Sequence, residues 1–177
     1  MSLPESYPPV LPVVSVLYND TTFLKETVHH LQLLFGEVVL FSEPYPFDMT
    51  NYYQAEMGSK LLRVWLCFTP LQDPSGLPMW KDRCIAIEEI FGGEGKRLVN
   101  IDPGYLDHAK LILASCKDAP DKVYIGKGVF AHTCLLYRKG EFHGPEHSFA
   151  DFIDGRFDEF FMSAKKLLRK LIKERDL

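Results

Sequence analysis

Two segments of the chain, residues 23–35 and 78–91, each carry their apolar side chains on a single helical stripe, and each lies between strand-like runs. In the first, Phe23, Leu24, Val28, Leu31, Leu34 and Phe35 fall at helical spacing, and Gly36 stands where a helix commonly stops. In the second, Trp80, Cys84, Ile87, Ile90 and Phe91 form the stripe, charged residues fill the rest, and Gly92-Gly93 closes it. A helix with one stripe needs one apolar surface to lie on, and a single sheet face can cover two such helices. Residues 13–18, 37–41, 61–68 and 97–101 supply that sheet, each a short apolar run ended by turn or breaker chemistry. The order β-α-β-β-α-β predicts a ferredoxin-like unit with both helices on the same face.

Three further runs, 109–116, 122–125 and 129–137, are joined by Lys117-Asp118-Ala119-Pro120-Asp121 and Gly126-Lys127-Gly128, both rich in breakers. They read as a three-stranded antiparallel meander. Beyond them Phe157, Phe160, Phe161, Ala164, Leu167, Leu168, Leu171 and Ile172 recur at three and four. Acids open this helix and bases follow, as the helix dipole prefers. Its stripe is expected to pack on the body of the same or a neighbouring chain. The fold expected is thus α+β: a ferredoxin-like βαββαβ unit extended by an antiparallel meander and a C-terminal amphipathic helix, all in one domain spanning residues 1–177.

Composition narrows the function classes. Apolar residues at 46% and charged residues at 25% are those of a globular chain, which at this length needs neither disulfide nor metal to fold. A net charge of -4 argues against a dedicated nucleic-acid binder. Cys67, Cys84, Cys116 and Cys134 are scattered through apolar segments without a CxxC pair, the pattern of buried free thiols in a reducing compartment. Residues 1–18 hold no Lys or Arg and are broken by Pro4, Pro8, Pro9 and Pro12, unlike a secretory signal, and no window reaches the roughly 20 apolar residues of a membrane span. A cytoplasmic protein without a membrane partner is expected.

Motif chemistry is sparse. Gly92-Gly93-Glu94-Gly95-Lys96-Arg97 is the nearest string to a P-loop, but Ile90 replaces its first glycine and Arg97 its magnesium-binding hydroxyl. Gly126-Lys127-Gly128 reads as a hairpin turn rather than a dinucleotide fingerprint. His143, Glu146 and His147 lie within five residues, yet Pro145 breaks the helical geometry that makes two imidazoles a zinc pair, so no metal site is assigned. No local string marks a hydrolase triad.

The residues with ligand-binding character sit in the long connection at 44–59 and beside the string Asp102-Pro103-Gly104-Tyr105, which reads as a turn. Tyr52, Tyr53, Glu56, Asn100, Asp102 and Tyr105 are the candidate set, offering stacking faces and acceptors, with Lys110 and Lys127 to meet an anion. Asp48 and Lys117 are of the same type. The competing reading makes 44–59 an Ω-loop packed by its own aromatics, with Asn100 and Asp102 capping their own turn and Glu56 paired to a lysine.

Three strings carry a resemblance: Pro44-Tyr45-Pro46-Phe47-Asp48 with Tyr52-Tyr53-Gln54-Ala55-Glu56-Met57-Gly58, then Lys96-Arg97-Leu98-Val99-Asn100-Ile101-Asp102-Pro103-Gly104-Tyr105-Leu106, then Val123-Tyr124-Ile125-Gly126-Lys127-Gly128-Val129-Phe130-Ala131. In this order they resemble the prokaryotic domain-of-unknown-function family numbered 4416, over about residues 10–151. The resemblance implies no particular activity or cofactor. Some members bear the label GTP-binding, for which this chain offers no phosphate cradle. Residues 151–157 depart from the family's aromatic and proline-rich pattern, and no role is carried over there. Two functions stay in view: binding, with or without catalysis, of a small polar or phosphorylated metabolite or nucleotide-like ligand; and an interaction or RNA-contacting role for the sheet and the basic last helix, whose residues 165–177 carry six bases and two acids.

Overall fold

The computed structural model describes residues 6–93, 96–145 and 148–175. Strand β1 (Leu11–Tyr18) is buried at every position because both of its edges and both of its faces are covered. On one edge it pairs antiparallel with β4 (Leu62–Thr69), and on the other with β5 (Val99–Leu106). Strand β2 (Glu37–Phe41) extends the sheet beyond β4, and β6 (Lys110–Ser115), β8 (Val129–Arg138) and β7 (Lys122–Gly126) extend it beyond β5. The two-residue β3 (Tyr45–Pro46) adds to β4 and the short β9 (Glu141–His143) to β8, so the nine strands among the described residues form one sheet in which every pair is antiparallel.

Side-chain alternation along the strands creates two cores. Val14, Val16 and Tyr18 of β1, with Val64, Leu66 and Phe68 of β4, face helices α1 (Thr21–Phe35) and α3 (Leu77–Phe91), which bury Leu24, Leu31, Phe35, Trp80 and Cys84 there. The intervening residues, Leu11, Val13, Trp65 and Cys67, face the other way, onto Phe160, Phe161, Ala164 and Leu168 of α5 (Asp158–Arg175). The two early helices therefore share a face, as their single stripes require, and the last helix covers the opposite face of its own chain. Asp20 caps α1 by accepting from the Thr22 N–H at 2.7 Å. Gly36 ends it at φ +96°, where a Cβ would lie 2.1 Å from the Thr69 carbonyl oxygen, so only glycine lets the helix end against β4.

Three expectations need correction. Residues 102–105 are not a turn but part of β5; Pro103 lies one residue before the stretch that pairs with β6, so its missing N–H removes no bond on that side. The last strands are not a sequential meander, since β8 lies between β6 and β7. The cause is burial: β8 carries inward residues such as Val129, His132 and Cys134, whereas β7 leaves Val123 and Tyr124 exposed and suits only an edge. Of the four thiols, Cys116 is exposed and three are buried. Lys165, one of the six bases counted in the last helix, is buried, with Nζ 3.9 Å from the Tyr137 ring centroid.

Candidate functional site

The sheet opens between β5 and β6. Strand β1 pairs with β5 along its whole length, but β6 pairs with it only over residues 104–106. The unpaired backbone of Ile101 still needs partners, because an orphaned buried amide is costly. Helix α3 supplies them: Glu88 Oε1 accepts the Ile101 N–H at 2.6 Å, and Lys81 Nζ donates to the Ile101 carbonyl at 2.8 Å. The opening leads into a cavity of about 910 Å³, walled by the 44–59 connection, α3, the free stretch of β5, the end of β6, His132 of β8, and the one-turn helix α4 (Ala150–Ile153). That volume matches a small-molecule site.

A connected chain of polar side chains crosses the cavity wall. Lys81 Nζ lies 3.0 Å from Asp102 Oδ1, and Asn100 Nδ2 donates to Asp102 Oδ2 at 2.8 Å. Arg97 donates from Nη1 to Asn100 Oδ1 at 2.9 Å, and from Nη2 and Nε to Glu56 Oε2 at 2.7 and 3.0 Å. Glu56 is presented by the single helical turn α2 (Gln54–Met57), anchored by the buried Met57. Aromatic rings line the same wall. Tyr53 lies 5.4 Å under the Arg97 guanidinium, and Tyr52 meets Tyr53 edge-on while carrying Lys117 Nζ at 3.6 Å from its centroid.

Electrostatics follow from burial and these pairings. Burial opposes the charge of Asp102, but Lys81 outweighs it and holds the carboxyl below its usual range. Burial also works against the Lys81 charge and is overcome by Asp102 and Glu88, so that ammonium is held above the ordinary lysine range. For Glu88 burial wins over Lys81 and pushes its carboxyl up to about 7. Tyr53 is pushed up to about 12, first by burial and then by Asp102.

Five of the eight residues expected from sequence, Tyr52, Tyr53, Glu56, Asn100 and Asp102, line this one cavity. Tyr105 does not, because it stands three positions beyond Asp102, an odd step along the strand, and alternation sends it to the other face of β5. It lines a second, smaller hollow with Lys110, whose ammonium is taken by Asp107 at 2.5 Å and by the Tyr7 hydroxyl at 3.2 Å. Lys127 sits at φ +54° in the β7–β8 turn and lines neither. Glu56 pairs with an arginine rather than a lysine, and Asn100 and Asp102 serve the network instead of a turn.

Arg63, Lys81, Glu88, Arg97, Lys122 and Asp151 also line the cavity and were not singled out from sequence. One signal was present: Lys81 and Glu88 are seven apart, two helical turns, and so share a face of α3. His132 links Asp121, 2.9 Å from Nε2, to Cys134, 3.6 Å from Nδ1. The order resembles a Cys-His-Asp relay, but the thiol is fully buried, burial pushes it far up, and it does not line the cavity. Among the described residues no cluster of three or more His, Cys, Asp or Glu side chains could hold a metal; Glu146 and His147 lie outside the described residues, as do Glu94 and Gly95.

Glu88 makes stability depend on pH. Its folded pKa lies above the ordinary 4.5, so between that value and about 7 the folded state holds a proton the unfolded chain releases. Its contribution is fully present below about pH 4.5 and is lost as pH rises through 7. Glu88→Gln keeps an acceptor for the Ile101 N–H but cannot titrate. Relative to wild type, the variant is expected to gain about 3 kcal/mol between pH 4 and pH 8, measured by urea unfolding across that range. A difference that does not vary with pH would count against this titration.

The family described as Domain of unknown function (DUF4416) matches residues 8–167, a span that includes every element around the cavity. No curated protein and no solved structure matches the chain. The chain belongs to the DUF4416 family.

Proposed function

Starting from that membership, we propose that the chain binds a small anionic ligand, a phosphorylated metabolite or nucleotide-like molecule, in the cavity at the sheet opening. The observation that carries this reading is a pair of lysines, Lys117 and Lys122, which line the cavity and have no acidic partner among the described residues. The Lys81, Arg97 and Arg63 charges beside them are each matched to a carboxylate. Lys117 rests on Tyr52, and Lys122 donates to Ser115 Oγ at 2.9 Å and to the Lys117 carbonyl at 3.1 Å, so both are held where an anion would meet them. Phe47, Tyr52, Tyr53 and Phe149 offer faces for a flat ring.

The RNA-contacting reading has less support, because α1 and α3 cover one face of β4, β1 and β5 and α5 covers the other. The order β2-β4-β1-β5, with α1 and α3 on one face, supports reading residues 11–106 as a ferredoxin-like unit. An exposed free Cys116 fits a reducing compartment, and no helix among the described residues is long and apolar enough to cross a membrane.

A thermal-shift screen over nucleoside phosphates and sugar phosphates tests the proposal. A bound compound at 100 times its Kd adds about 2.7 kcal/mol, or roughly 5–10 °C in Tm for a chain of this size. Lys117→Ala with Lys122→Ala is expected to abolish the shift. No shift with any anionic compound, or an undiminished shift in the double variant, would refute it.

A further inference from the structure

We propose that the unpaired edge of the Arg63 guanidinium anchors an oxyanion of the cavity's ligand, a phosphoryl or carboxylate group; this rests on the reading of the cavity as a ligand site. Arg63 projects from β4 into the cavity wall while only 8% exposed. Its plane is fixed by aromatic rings, with Phe47 at 4.9 Å from the guanidinium carbon, Trp65 at 5.7 Å, and Phe152 and Phe157 both at 5.9 Å. Asp151 on α4 takes Nη1 alone. Nε is out of contact with solvent and has no partner, and Nη2 makes no hydrogen bond among the described residues.

The position of the unpaired groups is informative. Nε and Nη2 form one side of the guanidinium, and their two N–H bonds run nearly parallel, at the spacing of two oxygens of a carboxylate or phosphoryl group. A lysine in this place would present no such fork. Two further buried donors nearby, Ser15 Oγ and Trp65 Nε1, are also unpaired, and these residues face each other across β1 and β4. Neither lines the cavity, so Arg63 is the member of this group that borders it. Asp151 already balances part of the guanidinium charge, and Lys117 and Lys122 supply the cationic surplus that an incoming oxyanion requires.

The Arg63 Nε–H, shielded from bulk water, gives a direct probe: an arginine-edited ¹H–¹⁵N spectrum, assigned by the signal lost in Arg63→Lys. Titrations with inorganic phosphate and, separately, succinate are run alongside calorimetry on wild type, Arg63→Lys and Asp151→Asn. The expected result is a saturable shift of the Arg63 signal with one probe, which identifies the phosphoryl or carboxylate source. Arg63→Lys, which keeps the charge and loses the fork, should weaken that probe at least tenfold. Asp151→Asn, which leaves Arg63 in place and removes its competing carboxylate, should tighten it, and keeps the test decisive if Arg63→Lys does not fold. Binding heat with an unmoved Arg63 signal and unchanged affinity in Asp151→Asn would overturn the anchor while leaving the cavity reading intact. Absence of heat and shift with both probes, together with a blank thermal-shift screen, would overturn both.

Discussion

Deleting residues 156–177 is expected to leave no soluble, cooperatively folded protein. Phe157, Phe160, Phe161 and Leu168 are buried to 3%, 6%, 0% and 2% exposure against the sheet. Trp65, wholly buried, has its ring centroid 5.0 Å from that of Phe161 and 5.4 Å from that of Phe157. Each such side chain contributes about 1.5–3 kcal/mol by leaving water, and four together reach the order of a domain's whole stability, about 5–15 kcal/mol. The deletion also strips the cover from Leu11, Val13, Trp65 and Cys67, a continuous apolar face in the middle of the sheet. A single change, Phe161→Ala, should cost about 3–5 kcal/mol in urea unfolding, because the hole is walled by strands that cannot collapse into it. A truncated chain that stayed monomeric with the wild-type Tm would show that α5 contributes little.

Lys81→Met should be the most damaging single change on the cavity wall, costing about 3–5 kcal/mol at pH 8. The Lys81 side chain is 7% exposed, and its ammonium meets both Asp102 and the Ile101 carbonyl. Removing it leaves a carboxylate and a carbonyl without their cation, with Glu88 close by. Glu88 can take up a proton, since its carboxyl already stands near 7, so the loss should be smaller at pH 5. Adding Asp102→Asn should recover part of the loss, because the stranded charge is then gone. Urea unfolding of the single and double variants at both pH values checks this; a loss below 1 kcal/mol at pH 8 would mean that the network contributes little to folding.

The contrast between Asp102 and Tyr105 shows how much of the site could be read in advance. Both belong to one polar string at the edge of an apolar run, and a turn would have allowed them to converge. In a strand they cannot, since alternation separates them onto opposite faces, and the strand was hidden because Pro103 and Gly104 mimic turn chemistry. Gly104 is needed for another reason: a Cβ there would lie 2.0 Å from the Ile112 carbonyl oxygen of β6, at the point where pairing resumes. Arg63 was hidden differently, as one charge inside the run 61–68, where a cation reads as an outward-facing residue of a half-covered strand. It is buried because Asp151 and four aromatic rings, most of them distant in sequence, gather around it.

The sequence by itself determined the three long helices and most of the long strands, because helical and strand periodicity are local properties. Residues 21–35, 77–91 and 158–175 are helical, and the single stripes of the first two put them on one sheet face. It also placed Tyr52, Tyr53, Glu56, Asn100 and Asp102 together, through the aromatic connection and the string that follows Arg97. Only the tertiary structure decided where β5 parts from β6, that β8 rather than β7 fills the interior position, and that α3 lends Lys81 and Glu88 to a stranded stretch of backbone. Each of these depends on which distant groups cover an inward side chain or satisfy a buried amide, carbonyl or charge, and a pattern along the chain does not carry that information.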